Sequence, residues 1–479
     1  MLDNRSSLDR RQFLKTTAAG LGAAAAASSL AAAEPAAGGA KVDPKNLDWR
    51  SKSPDMAYAR LGRTNFMVSR IVSGLGGGAG NQKILWPRQL ASGINYYDTA
   101  RGYGNSETNL KDLLKESRKD MWVTSKATDV AGYSRIDPEV SRLYVEAVKK
   151  FLGDKFDELA GGGRQNPERM DLLRFHKAAV EKQTATGEKP DLRPAGKRMA
   201  ELYATKLDES LERMAIDHVD SYFLHGVEIP WLFDCGEVWE AYEKRHKAGK
   251  VKHFGFSTHK NQKEVLAAAV QANKTGPWRI DLIMPGVNPG SFESLRPELE
   301  ALKKQDVGII AMKTKGIVNR PVNVDEKKFA DLMDEKKYNE WERAKLWMLH
   351  LTEGLIDATI IAMQTMEEVE KDLPMASVRL SARAQRQLRT IVKLETAGTC
   401  HLCGDCETHC PEHIAVTDMI RYHAYLHQYN ERQLARELYQ QAGYDPAKVC
   451  NSCGKCADAC ASHVPIVDLL HELSRDMVA

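Results

Sequence analysis

The sequence predicts a parallel α/β barrel of eight strand–helix units, the (β/α)8 or TIM-barrel fold class, followed by a small all-helical domain. Three observations carry that expectation. Between Leu61 and about Leu373, short apolar runs alternate with longer helical patterns, the rhythm of parallel strands joined by helices. Eight of the nine cysteines lie beyond residue 399, in two copies of one spacing. The 479 residues leave room for one barrel-sized unit and one small one, since domains run about 50–250 residues.

In chain order, the first element is Asp9-Arg10-Arg11-Gln12-Phe13-Leu14-Lys15, followed by an Ala/Gly-rich, weakly apolar stretch ending in Ala31-Ala32-Ala33. It resembles a twin-arginine export signal with a small-residue cleavage site, which implies a periplasmic protein. The stretch has too little Leu, Ile or Val to hold a bilayer, and no later segment approaches the ~20 continuous apolar residues of a spanning helix. The mature chain is therefore expected to have no membrane span, with residues 34–58 as a Pro/Gly/Ala-rich lead-in.

The barrel is expected over 59–375. Its candidate strands are Ser69–Ser73, Ile94–Tyr97, Met121–Thr124, Val219–Leu224, Val251–Phe256, Asp281–Met284, Val307–Met312 and Ala358–Ile361. Eight such units close naturally. Met199, Tyr203, Leu207, Leu211 and Met214 share one helical face, and Gly249 ends the helix before the fifth strand. After the third strand, an insertion at about 131–198, with Gly161-Gly162-Gly163, sits on the side where barrel sites form. It is either a lid or docking element, or a decorative helical insertion. The net charge of +3 contains no long single-sign run, so no nucleic-acid footprint is visible. Small molecules and a redox partner protein are the expected partners.

The region 376–479 carries Cys400, Cys403, Cys406 and Cys410, followed by Pro411, and then Cys450, Cys453, Cys456 and Cys460. The run C-x2-C-x2-C-x3-C is the bacterial ferredoxin spacing for two [4Fe–4S] clusters, three thiolates gripping one cluster and the fourth reaching to the other. Cys400, Cys403, Cys406 and Cys460 then form one set, and Cys450, Cys453, Cys456 and Cys410 the second. Gly404 and Gly454 recur at the same place in both loops. Zinc fits the spacing poorly, since zinc sites usually pair C-x2-C elements. Disulfides would suit an exported chain. A twin-arginine route, which carries folded proteins, would let clusters protect the thiolates instead. The stretch from Ile414 to Lys448 reads as helix, with Ile420, Tyr425, Tyr429, Leu434 and Leu438 spaced for burial. This region resembles the α-helical ferredoxin domain of succinate dehydrogenase and heterodisulfide reductase subunits. It departs from that pattern at Ala461, where proline usually stands. Cys235 stands alone as a small buried residue, and His409, His413 and His463 read as loop residues.

Asp98 through Glu107 follow the second strand, Thr124-Ser125-Lys126 ends the third, and Val219 through His225 forms the fourth. These motifs resemble the aldo/keto reductase family over most of residues 60–373. The resemblance implies a catalytic tetrad of Asp98, Tyr103, Lys126 and His225, all at the C-terminal ends of strands, where barrels do chemistry. A carbonyl accepting hydride needs a proton donor. Lys126 lowers the pKa of the Tyr103 phenol by its charge, Asp98 holds the ammonium, and His225 orients the substrate oxygen.

The resemblance also implies places for NADP(H) or NAD(H). Ser257 keeps one carboxamide partner, but Thr258 and Met284 replace the other two. Lys313-Thr314-Lys315-Gly316 replaces a Gly-rich phosphate loop, with Lys313 offering charge; Glu368 stands where a base meets the 2′-phosphate, and Asp372 replaces an Asn. An acid there repels phosphate, so weak or lost nicotinamide binding is expected. The expected activity is an exported oxidoreductase acting on an alcohol or carbonyl, including sugar-like ones, coupled to the clusters. The alternatives are a non-redox acid–base enzyme with structural clusters and an electron-transfer subunit using the barrel as a platform.

Overall fold

The computed structural model describes residues 43–76, 79–130, 136–159, 172–314, 316–318, 338–429 and 431–478. The signal-like segment and the Gly161-Gly162-Gly163 run lie outside the described residues.

Eight parallel strands close into a barrel. They are Ile71–Gly74, Tyr96–Asp98, Trp122–Ala127, Val219–Leu224, Val251–Thr258, Leu282–Pro285, Gly308–Ala311 and Ala358–Ile361. Closure comes where the eighth strand pairs with the first, Thr359 opposite Ile71, and with the seventh, Ala358 opposite Ile310. The third strand runs on to Ala127 and the fifth to Thr258, so Lys126 and Ser257 are held inside strands.

The barrel interior is filled by Val72, Tyr96, Trp122, Phe223, Leu282 and Ile310. An antiparallel hairpin, Tyr58–Arg60 with Met67–Ser69, adds Leu61 and Phe66 to that core. Phe66 lies 4.7 Å from Trp122, ring to ring. At the hairpin turn Gly62 has φ +50°, and a Cβ there would sit 2.3 Å from the Gly308 nitrogen, so close backbone approach requires glycine. The lead-in is less loose than its composition implies. Arg50 donates to the Met121 carbonyl at 2.8 Å and meets buried Asp220 at 3.0 Å, which ties residues around it to the barrel.

The described residues of the insertion form helices Pro138–Leu152, Asp154–Leu159, Leu172–Thr186 and the start of Arg193–Met214. Its Val140, Tyr144 and Phe175 join the barrel's outer hydrophobic core. Met199, Tyr203, Leu207, Leu211 and Met214 are buried along one face of the last of these helices.

Beyond the barrel, helix Ala382–Glu395 still buries Leu388, Ile391 and Val392 in that outer core. The two cysteine loops then repeat one structure fifty residues apart, with short helices Asp405–Thr408 and Lys455–Asp458 and long helices beginning at Val416 and Ile466. Left-handed backbone recurs at Leu402 and Ser452, at Gly404 and Gly454, and at His413 and His463. Helices Val416–His427 and Arg432–Ala442 occupy the stretch that reads as helix, and Met419, Ile420, Leu438, Leu469 and Leu473 form the core of the small domain. Among the described residues no helix is long and apolar enough to cross a membrane.

Candidate active site

Asp98 ends the second strand and Lys126 lies near the end of the third, so neighbouring strands bring carboxylate and ammonium together. Lys126 Nζ donates to Asp98 Oδ2 at 2.5 Å and to the Thr99 carbonyl at 2.9 Å, both side chains being buried. Tyr103 follows in the turn after the second strand, and Lys126 Nζ lies 4.8 Å from the centre of its phenol ring, close enough for the ammonium to pull the phenol pKa down. A Cβ at Gly76 would come within 3.2 Å of that ring, so glycine makes the space it fills. His225, just past the fourth strand, stands edge-on to Tyr103 with ring centres 5.4 Å apart. Its Nδ1 is 2.9 Å from Thr128 Oγ1.

Burial pushes the Tyr103 phenol above its ordinary pKa, and the Lys126 charge offsets only part of this. That differs from the sequence expectation, which weighed the lysine without the burial that accompanies it. Burial also tends to lower the Lys126 ammonium, but Asp98 and Tyr103 outweigh it and hold the amine charged. Asp98 is raised by burial against the pull of Lys126, and its Oδ1 has no hydrogen-bond partner. The site therefore presents a neutral phenol beside a fixed cation, an arrangement suited to giving a proton to a carbonyl oxygen.

The tetrad residues line a cavity of about 1170 Å3 whose wall also includes Arg421, Tyr425 and Tyr429 of the small domain. No described residue of the 131–198 insertion lines it. Three further groups were not singled out from sequence. Glu228 is buried, and its carboxyl is pushed up to about 7 by burial and by Asp418, against Arg421 and Lys260. His259, 3.6 Å from Glu228, is kept neutral by burial and by Arg421. Arg421 meets Asp418 at 2.6 Å and Glu228 at 3.6 Å. Glu228 and His259 follow the fourth and fifth strands, a position that itself marks them. Arg421 comes from another domain, and nothing local in the sequence links it to the barrel.

The cysteines fall into two neighbourhoods. Cys460 lies close enough to Cys400, Cys403 and Cys406 to raise their thiol pKa values, in each case after burial as the larger cause. Cys410 in turn feels Cys450 and Cys453, and Cys456 feels Cys410 and Cys450, again after burial. Cys410, Cys450, Cys453 and Cys456 line one small cavity together with Ile414 and Leu470. Among the described residues no three His, Cys, Asp or Glu side chains converge as they would on a single metal ion. Four thiols around a cavity with an apolar side do fit a four-iron cube. Cys235 is buried away from both sets, and burial raises its thiol.

The aldo/keto reductase family model matches residues 87–381. The chain belongs to that family. A second model, the 4Fe-4S dicluster domain, matches residues 393–461. This reductase is thus an oxidoreductase with an iron–sulfur domain fused behind its barrel. It is 25% identical over 364 residues to the uncharacterized oxidoreductase YrpG of Bacillus subtilis (strain 168), spanning 70% of this chain and 96% of that one. Among solved structures it is similar to the putative aldo-keto reductase PA4992 from Pseudomonas aeruginosa, at 16% identity and a TM-score of 0.43, covering 69% of this chain and 98% of that one. It is also similar to the aldo-keto reductase AKR11C1 from Bacillus halodurans, holo form, at 18% and 0.47, covering 73% and 99%.

The places that the family resemblance allots to a nicotinamide are engaged by the chain itself. Ser257 Oγ accepts from the Gly226 amide at 3.0 Å, and Met284 is a buried apolar side chain. Lys313 Nζ donates to the Tyr425 hydroxyl at 3.0 Å, and the Gly316 carbonyl accepts from the Tyr429 hydroxyl at 2.9 Å. Just beyond, Ile317–Val318 pairs antiparallel with Thr399–Cys400. Glu368 Oε2 accepts from the Gln364 and Thr365 amides at its helix start, taking up donors a phosphate would need. Asp372 is held by Lys345 at 2.5 Å. These residues do not fit a dinucleotide laid where the family resemblance allots it.

Proposed function

We propose that this reductase interconverts an alcohol and its carbonyl at Tyr103 and exchanges the electrons through two [4Fe–4S] clusters with a partner protein, without a nicotinamide. One observation carries the reading: helix Val416–His427 of the dicluster domain lies against the barrel cavity, its Tyr425 on Lys313, where a cofactor phosphate would be held. The chain's own residues manage the proton. In reduction the Tyr103 hydroxyl hands it to the carbonyl oxygen, the charge of Lys126 stabilises the phenolate left behind, and Asp98 fixes Lys126. His225 orients the substrate oxygen.

Cys400, Cys403, Cys406 and Cys460 would hold one cluster, and Cys450, Cys453, Cys456 and Cys410 the other. When bound, the clusters would supply one-electron storage, two electrons in all; oxidation of the alcohol would release those two electrons with two protons, the hydroxyl proton to Tyr103 and the carbon-bound hydrogen, as a proton, to solvent in the cavity, and reduction would take up both in reverse. The first set is nearer the barrel, since the Asn261 amide meets the Leu402 carbonyl at 3.4 Å and Cys400 lies in the pairing with Ile317. Cys453 of the second set is exposed, as is Cys403 of the first, and the second set, farther from the barrel, suits exchange with a partner. Export by the twin-arginine route, read from Arg10 and Arg11, accounts for thiols that stay reduced in the periplasm, because clusters assembled beforehand would guard them.

The test is redox titration of the holo-protein with candidate alcohols, together with analysis of small molecules released on denaturation. Alcohol-driven cluster reduction with no nicotinamide released is the expected result. Tight, stoichiometric NADPH binding in a fluorescence titration would return the protein to ordinary reductase behaviour.

A further inference from the structure

The cavity above the tetrad is walled on its far side by aromatic rings from two domains. Tyr425 and Tyr429, one turn apart on the small domain, sit with ring centres 6.1 Å apart. Trp341, at the start of barrel helix Glu340–His350, stands edge-on to Tyr429 at 5.6 Å. All three line the cavity that also holds Tyr103 and His225. The Tyr425 hydroxyl, on Lys313, makes a second phenol–ammonium pair in the same space as Tyr103 and Lys126.

Charge narrows what can enter. Near Trp341 and Tyr429 the described lining includes Glu342, Glu367, Glu368, Asp372 and Glu431, against Lys345, Lys371 and Lys313, the last 5.9 Å from the centre of the Tyr429 ring. Lys345 is matched to Asp372 at 2.5 Å and Lys371 to Glu367 at 2.7 Å. An anionic group meets acids in excess there, whereas hydroxyl groups find acceptors.

We propose that the dicluster domain is half of the substrate site: Tyr425 and Tyr429, with Trp341 of the barrel, form an aromatic wall facing the tetrad, and the space between takes a neutral, hydroxyl-rich ring such as a sugar. This rests on the reading of the tetrad given above and adds the part that the second domain plays in holding the substrate. A sugar ring presents C–H faces that pack on aromatic rings, and an edge of hydroxyls that the phenols, carboxylates and His225 can bond. The cavity, at about 1170 Å3, is large enough for more than one ring.

The experiment uses the full-length holo-protein and measures binding by saturation-transfer NMR and calorimetry. The probes are glucose and maltose as neutral sugars, glucose 6-phosphate as their anion, and cyclohexanone as a ring without hydroxyls. Neutral sugars are expected to bind, and the phosphate at least about tenfold more weakly. Tyr425→Ala should lose about five- to tenfold in sugar affinity and raise KM more than it lowers kcat. Tyr425→Phe, which keeps the ring, serves as the control for folding and should retain most of the affinity. Tyr103→Phe should bind sugar as wild type does while failing to turn it over. Absence of binding by either neutral sugar, tighter binding of the phosphate, binding of cyclohexanone alone, or unchanged affinity in Tyr425→Ala overturns the proposal. The two readings fail separately: sugar binding with full turnover in Tyr103→Phe removes the tetrad's role, while turnover of another carbonyl without sugar binding removes only the sugar.

Discussion

Replacing Lys126 by methionine separates the electrostatics of the site from its chemistry. The side chain keeps much of its length but loses the charge that sits 2.5 Å from Asp98 Oδ2. Asp98 is 1% exposed, and its Oδ1 already lacks a hydrogen-bond partner, so the variant leaves a buried carboxylate with neither cation nor donor. Breaking a buried pair from one side costs about 3–5 kcal/mol, which in a domain this large is a fall in Tm of roughly 6–12 °C. The pair variant Asp98→Asn/Lys126→Met removes both charges and should regain most of that loss. Activity should not return with stability. Without the ammonium the Tyr103 phenol faces burial alone, its pKa rises further, and turnover should stay about 10²–10⁴-fold down, as it should in Tyr103→Phe. The assay is thermal unfolding beside turnover, or substrate-driven cluster reduction, with iron content checked in every variant. A pair variant that recovers both stability and turnover would show that the motif survives without its chemistry.

Other predictions use different readouts. Oxidation needs Tyr103 to accept a proton, and burial holds its phenol above the ordinary value, so alcohol oxidation should climb as pH rises past neutrality. Carbonyl reduction needs the phenol protonated and should stay level through neutrality, then fall; identical profiles in both directions would count against Tyr103 as the proton carrier. Cys410→Ser should damage the cluster of Cys450, Cys453 and Cys456 more than the one beside it, because Cys410 lies in that cavity; electron paramagnetic resonance showing the reverse would reverse the ligand assignment. Arg10→Lys with Arg11→Lys should leave the protein, with its clusters, in the cytoplasm, and undiminished periplasmic signal by fractionation would remove the export reading.

Much of the barrel was legible because each of its strands is a short apolar run set off by helical periodicity, and because Asp98, Tyr103, Lys126 and His225 each follow or end a strand. Proximity among the four then comes from parallel neighbours in register, Asp98 opposite Thr124 and Lys126 opposite Phe223. The direction of the Tyr103 pKa was not legible, because it is a balance between burial and one charge, and burial belongs to the assembled fold. Tyr425 and Tyr429 were read as core positions of a helix, and helical spacing does mark them as a face. Which partner covers that face is a long-range matter: the contacts run to Lys313 and Gly316, more than a hundred positions earlier. The lead-in reads as linker by composition, yet one arginine, Arg50, anchors it through contacts with Met121 and Asp220.

The same junction bears on the electron path proposed above. Lys260 is buried, with Glu407 and Asp418 each at 3.1 Å, and Asp418 continues the chain of charges to Arg421 and Glu228. Removing five ionisable groups from water is costly, and their mutual attraction roughly repays it, so such a network adds little net stability. It does penalise any other arrangement, because separating the domains would strand charges such as Lys260 on one side and Asp418 on the other without their partners. Seating of the dicluster domain on the barrel is accordingly a fixed feature of the fold rather than an encounter. The first cysteine set is then held at a constant distance from the cavity, and in the proposed function the second set would meet the partner. On this argument Lys260→Met should slow substrate-driven cluster reduction in a way that added partner protein does not rescue, while a variant confined to the exposed surface around Cys453 should slow only exchange with the partner. Equal rescue of both by excess partner would show that the junction is not what sets the electron path.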